Sequence, residues 1–474
     1  MRHKLETERP RCVLSSIVSP PDVARMPNLY IAQAHHPNNA APRNAFHNII
    51  GSSVVQDGRV SQLSSLRRRN GSAVLWVALL ASTCAPVPAT TKKHSGRPGN
   101  VQMGVDVLEA EKFAPLRGKH IGLITNHTGL DTQGRSTVDL LSHAPGVNLV
   151  ALFSPEHGLA GRNDERISST KDAATGLPIF SLYAETLRPT DAMLQGIDTL
   201  VFDVQDAGVR FYTYTSTMAY CMEEAAKRNI AFYVLDRPNP LGGEILEGPM
   251  LDPDKTSFTA YYPLPVRYAL TIGELAQFFN AENHINCDLH VIAMKNWRRN
   301  YFYESTAARW IPPSPNLRTL KGAVLYPGLE ILQNAGVSVG RGTETPFEEF
   351  GAPWINGEEV AAALNARHLP GLRFTAQPFI PVVGLYSGQR CGGVAIRITD
   401  RQAVRAMSMG IEVATILRKL YPADFDPGKL LLLTGNAETI RLLQDHTPAD
   451  EIVASWSSDL SSFDALRRKY LLYK

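Results

Sequence analysis

The sequence predicts an α/β protein. It has a Rossmann-like, mostly parallel, doubly wound sheet and a second, smaller α/β subdomain at the C-terminal end. Two observations carry this expectation. From about residue 101 onward, short apolar runs alternate with stretches of helical periodicity. That is the pattern of βαβ units joined by right-handed crossovers. Four of the apolar runs also stop abruptly in polar loops: NHTG, SPEHG, QDAGVRFYTY and DRPNP. In an open parallel sheet such loops share the carboxyl edge, where ligands bind.

The elements follow in order. Val105–Val107 precedes a short helical stretch ending by Leu116. His120–Thr125 (HIGLIT) is a compact apolar strand that ends at Asn126, His127, Thr128 and Gly129. Arg135–Ser142 reads as a helix. Asn148–Phe153 is the next strand, ending in SPEHG. Thr199–Val204 is another, ending in Gln205, Asp206, Ala207 and Gly208. Thr215–Arg228 is helical, with Met218, Cys221, Met222 and Ala225 on one face. Ala231–Leu235 follows and ends in Asp236-Arg237-Pro238-Asn239-Pro240. The helix Ile272–Asn280 and the strand Asp288–Met294 close the first domain, 101–295. Asn296–Leu320 is irregular, and a loop that long in a compact domain is usually functional. The remainder, 296–474, carries a Gly-rich segment from Gly336 to Trp354. After it come a helix at Gly357–Asn365, strands at Leu372–Thr375 and Gly393–Ile398, helices at Val404–Leu420 and Ala437–Leu443, and a basic-aromatic tail.

The first hundred residues differ in kind. Residues 1–66 show no hydrophobic period and read as disordered, or as an extension upstream of the true start. Residues 67–89 run from Arg67-Arg68-Arg69 through an apolar stretch, Ala73 to Ala81, to small residues. That order is the pattern of an export signal. The run is too short for a permanent membrane span. Cys84 sits where lipid attachment would occur, and residues 90–100 form a Pro- and Gly-containing linker. The chain is therefore expected to be exported, periplasmic or secreted, with no integral span in the mature part.

Composition narrows the chemistry. Hydrophobic residues make up 44% of the 474 and the net charge is only +3. With no basic stripe, a nucleic-acid partner is not expected. The five cysteines include no CxxC pair, so neither a zinc site nor a disulfide framework is signalled. No GxGxxG or GxxxxGK[ST] follows a strand, which disfavours nucleotide binding. No HExxH or HxH spacing groups the available ligands, so neither a metal nor a cofactor is expected.

Glu156 is the leading catalytic candidate. A carboxyl between Pro155 and His157 at the rim of an apolar strand is placed for acid–base work, and desolvation there would favour its protonated form. Glu165 or Asp164, in a loop that also carries the candidate binding residue Arg162, and Asp206 are candidates for a second carboxyl group. His157 could orient Glu156 or bind substrate. Arg210, Tyr212 and Tyr214 alternate with period two, so an extended chain would turn all three to one side. An arginine with two tyrosines suits a substrate with a carboxylate and a sugar face. Arg341, flanked by glycines in GRGTETP, is a second anion-binding candidate. Asn126, Gln205 and Asn239 in the strand-end loops, Ser314 and Asn316 in PPSPN, and Thr343 complete the set of candidate binding residues.

Taken together, GLITNHTG, LFSPEHGLAG, FDVQDAGVRFYTY, VLDRPNPLGG, TIGELAQFFN, PPSPN, GRGTETPFEEFGAPW and KYLLY resemble, in this order, the NamZ-type exo-β-N-acetylmuramidase family. The resemblance runs from about Val101 to Tyr473. It implies a Rossmann-like domain and a C-terminal subdomain with the active site in the cleft between them. It also implies hydrolytic release of terminal N-acetylmuramic acid from peptidoglycan fragments, with the SPEHG glutamate, Glu156, as catalytic residue. One departure is Tyr268-Ala269-Leu270, where the family pattern has histidine before TIGE. The substrate's lactyl carboxylate would call for a cation such as Arg210 or Arg341. Two other readings remain open: a metal-dependent amidase or deacetylase, and a non-catalytic cell-wall binding lipoprotein.

Overall fold

The computed structural model describes residues 101–161 and 168–474. Its centre is a seven-stranded sheet. The strands are β1 (His120–Thr125), β2 (Asn148–Ser154), β3 (Thr170–Lys171), β4 (Pro178–Ser181), β5 (Thr199–Asp203), β6 (Ala231–Leu235) and, after a separate pair β7 (Glu247–Met250) and β8 (Pro265–Arg267), β9 (Leu289–Ile292). Their spatial order is β3-β4-β2-β1-β5-β6-β9. Every neighbouring pair is parallel except β3 with β4. From β1 the chain steps outward through β2 and β4. It then returns to β5, on the other side of β1, and steps outward again through β6 and β9. That reversal between β1 and β5 is the switch point of a doubly wound sheet, where a crevice opens beyond the strand ends.

The strands show why both faces are covered. All five residues of β5 and of β6 are buried. Leu200, Phe202, Phe232 and Val234 feed one core cluster. Val201, Tyr233 and Leu235, the alternate residues, feed another. With period two, each cluster lies on its own face of the sheet. The helices α1 (Gly104–Ala110), α2 (Thr137–His143), α3 (Tyr214–Ala226) and α4 (Ile272–Glu282) belong to this part. Ser136 Oγ caps α2 by accepting from Asp139 N at 3.0 Å. A Thr271–Glu274 capping box starts α4.

The C-terminal part has α5 (Leu320–Gln333), β10 (Glu349–Ala352), α6 (Gly357–Ala366), β11 (Leu372–Ala376), β12 (Gly392–Ile398) and α7 (Ala406–Leu420), followed by the short helices α8 (Leu431–Thr434), α9 (Ala437–Gln444), α10 (Ala449–Ser455) and α11 (Ser457–Arg467). Its three strands form an antiparallel sheet in the order β10-β12-β11. Helices α5 and α7 cross at a glycine pair. A Cβ on Gly328 would lie 1.8 Å from the Ala406 carbonyl oxygen. Among the described residues, no helix is long and apolar enough to cross a membrane.

One local expectation changes, and one helix comes in addition. Val105–Val107 lies inside α1, whose start is tied by Met103 N–H donating to Asp106 Oδ2 at 2.7 Å. Between the irregular stretch and the Gly-rich segment the chain forms a full helix, α5. Pro327 inside it reads locally as a break, yet the helix is buried along most of its length and packing overrides the local signal. The expected signal, linker and residues 1–100, with Cys12 and Cys84, lie outside the described residues, as do Arg162, Asp164 and Glu165.

Candidate active site

The carboxyl ends of β1, β2 and β5 meet at the switch point. The register pairs Thr125 with Asp203, and Ile124 with Phe153. This brings the loops NHTG, SPEHG and QDAG together. Thr128 Oγ1 ties two of them: it donates to Asn126 Oδ1 at 2.6 Å and accepts from Gln205 N at 2.9 Å.

Glu156 leaves β2 in a tight turn closed by Gly158 N–H donating to Pro155 O at 3.0 Å. His157 takes φ +69° inside that turn, a left-handed conformation that costs a non-glycine residue roughly 1–2 kcal/mol. The turn sets the half-buried Glu156 carboxylate against the start of α3. There Thr213 Oγ1 donates to Glu156 Oε2 at 2.5 Å. Tyr214 reaches the same turn, its hydroxyl 3.3 Å from the Glu156 carbonyl oxygen and 2.7 Å from that of Pro313. Asn126 Nδ2 donates to the Tyr214 hydroxyl at 3.0 Å. Four loops are thus knotted around one carboxylate.

Behind Glu156 lies a buried polar layer with unfilled valences. Asp206 is 6% exposed. Its Oδ2 accepts from Gly208 N at 2.7 Å and from the Tyr268 hydroxyl, while Oδ1 has no partner among the described residues. Burial pushes its carboxyl up to about 6, against the pull of those hydrogen bonds. Gln205 Oε1 and the Tyr212 hydroxyl are likewise buried without a partner. The tyrosines Tyr212, Tyr214 and Tyr268 are held well above the ordinary phenol range, chiefly by burial. They therefore act as neutral hydroxyls.

His127 extends this layer. Its Nε2 sits 2.7 Å from the Pro312 carbonyl oxygen, an acceptor only, so Nε2 carries the proton. Burial lowers its pKa and His157 lowers it further, leaving a neutral ring. Among the described residues its Nδ1 has no partner. Gly161 packs on that ring, where a Cβ would sit 1.9 Å from it.

The structure gives several of the expected binding residues other partners. Arg210 has its guanidinium taken up by backbone carbonyls. It is 1% exposed, and its Nη1 and Nη2 donate to the carbonyls of Pro249, Leu264, Leu433 and Thr434 at 2.5–3.0 Å. Nor do Arg210, Tyr212 and Tyr214 alternate along a strand, because the chain turns there and α3 begins at Tyr214. Asn239 holds its own loop, donating to Leu270 O and accepting from Leu241 N, both at 2.9 Å. Ser314 Oγ accepts from Asn316 N at 3.2 Å, shaping the loop whose prolines present their carbonyls to His127 and Tyr214. Arg341 pairs with Glu330 at 2.7 Å, and Thr343 Oγ1 donates to Glu349 Oε1 at 2.8 Å. Thr213 and Tyr268 were not among the expected site residues. Thr213 stood inside the FYTY run, and Tyr268 was visible only as a departure from the family pattern.

The comparisons agree with this architecture. Residues 121–321 match the family described as Exo-beta-N-acetylmuramidase NamZ, N-terminal, and residues 324–473 match its C-terminal counterpart. The chain belongs to the NamZ family. It is 41% identical over 396 residues to the peptidoglycan beta-N-acetylmuramidase NamZ of Bacillus subtilis (strain 168), a match that covers 82% of this chain and 96% of that protein. Two crystal structures of DUF1343 family proteins from Bacteroides fragilis NCTC 9343 share the fold. One is 38% identical with a TM-score of 0.75, the other 32% identical with a TM-score of 0.67. Each match covers 79% of this chain and 99% of the other. Among the described residues, no three His, Cys, Asp or Glu side chains are grouped to hold a metal ion.

Proposed function

We propose that this chain is an exo-acting glycoside hydrolase that releases terminal β-N-acetylmuramic acid from peptidoglycan fragments, with Glu156 as its general acid–base group. One observation carries the choice of residue. Glu156 is a half-buried carboxylate at the switch-point edge with Thr213 bonded to one of its oxygens. Oε1 then remains for the substrate. In the reaction Glu156 gives its proton to the glycosidic oxygen as the bond from that oxygen to the anomeric carbon breaks, and water supplies the hydroxyl that takes its place. Asp206 is buried, so a sugar meets Glu156 first. We assign Asp206 a positioning role, acting through Tyr268 and the local field. The apolar stretch at residues 73–81 after three arginines further supports export of the mature chain.

Product analysis tests the activity. Digestion of soluble muramic-acid-terminated peptidoglycan fragments should release free N-acetylmuramic acid, read by mass spectrometry, from the non-reducing end only. Internal cleavage, or loss of a peptide or acetyl group with the sugar chain intact, would contradict the reading.

A further inference from the structure

We propose that the outer face of β11 and β12 forms an oxyanion-binding site that grips anionic groups of the cell-wall polymer away from the strand-end site. Arg373 on β11 and Arg397 on β12 are direct register partners in the antiparallel pair. Both are exposed, and they lie on the same face. Like charges placed directly opposite repel, and such pairs are ordinarily unfavourable. Among the described residues Arg373 Nη1 donates to the Leu372 carbonyl, at 2.9 Å. Among the described residues no carboxylate lies within ion-pair distance of either guanidinium. Nearby arginines do have such partners: Arg367 pairs with Glu412 at 3.2 Å, and Arg401 with Glu304.

The pair borders a shallow, open depression. Asn365, His368, Arg373, Phe374, Thr375 and Arg397 line a concavity of about 460 Å³. Asn365 fixes its wall, accepting from Phe374 N at 3.1 Å and donating to Phe374 O at 2.8 Å. This pins the end of α6 against β11. His368 then follows the helix at φ +52°. Two guanidinium forks, an imidazole and a hydroxyl therefore border one space. Guanidinium forks match the paired oxygens of carboxylate and phosphate, and a bound oxyanion turns the repulsive pair into a favourable one. Assigning the anion to wall polymer rests on the function proposed above; the oxyanion chemistry does not.

The test is co-sedimentation of the full chain with purified peptidoglycan sacculi, comparing wild type with the Arg373→Gln/Arg397→Gln double variant at low salt. Turnover of a soluble chromogenic muramic-acid glycoside is followed in parallel. The expected result is at least about fivefold weaker sacculus binding by the variant, with glycoside turnover changed by less than about twofold. Equal binding by the two proteins overturns the site. Sacculi stripped of phosphate polymers by acid separate the sources. A gap that closes on stripped sacculi assigns the site to phosphate, and one that persists assigns it to carboxylate. If neither protein turns over the glycoside while the binding gap remains, the proposed activity fails and this site stands.

Discussion

Asp203 and Asp206 lie three residues apart at the end of one strand, and they play opposite parts. Asp203 has both oxygens filled. Oδ1 accepts from Arg237 Nε at 2.5 Å, and Oδ2 from Arg237 Nη2 at 2.9 Å and from Thr137 Oγ1. Asp206 has one oxygen filled and one without a partner among the described residues. Both are buried. The difference is therefore one of partners rather than depth. A buried charge with a complete set of partners locks structure, whereas one held on a single side keeps capacity for a proton or a ligand.

The largest effect should come from breaking the locked member. Asp203→Ala leaves Arg237 as an uncompensated buried charge, a loss worth about 3–5 kcal/mol. Urea unfolding should show that drop in stability. A loss below about 1 kcal/mol would put the two aspartates in the same class.

The half-paired member should behave in the opposite sense. Asp206 titrates at about 6 in the fold against an ordinary 3.8. Between those values the folded state holds a proton that the unfolded chain has released, so this group makes stability fall as pH rises from about 4 to 6. Two pKa units correspond to up to about 3 kcal/mol. Asp206→Asn should therefore be more stable than wild type above pH 6, with the difference shrinking toward pH 4. Equal pH dependence in the two proteins would remove the contrast with Asp203.

Arg210 sharpens the same comparison with a cation. Its Nη1 and Nη2 are bound to four carbonyls, while Nε has no partner among the described residues, so it stands nearer Asp203 than Asp206. Arg210→Met should cost roughly 1–3 kcal/mol through acceptors left unpaired. KM measured on the folded protein should stay unchanged. A KM raised tenfold at full stability would return Arg210 to substrate binding.

These contrasts mark how far the sequence could be read. The parallel sheet was legible because β1, β2, β5 and β6 are short apolar runs with sharp polar ends, and the observed bounds fall within a residue of those expected. The convergence of NHTG, SPEHG and QDAG followed from topology alone, and so did the prominence of Glu156. Roles inside that edge were not legible. Period two in Arg210, Tyr212 and Tyr214 implied a strand, but the chain turns into α3, which buries Tyr214 and sends Arg210 to the α8 carbonyls. The carbonyls of Pro312 and Pro313, which hold His127 and Tyr214, carry no residue-type signature. α5 was hidden by Pro327 and Gly328, residues that a local reading takes as a break and that packing against α7 accommodates.

The central claim is that Glu156 carries the chemistry at this edge. The most direct measurement is chromophore release from a para-nitrophenyl β-N-acetylmuramic acid glycoside, with EDTA present, for wild type and Glu156→Gln. Wild type should turn over, and the variant should fall by ~10²-fold or more, the scale of a lost acid–base group, with its melting temperature within a few degrees of wild type. A folded Glu156→Gln protein that keeps wild-type turnover would contradict the account.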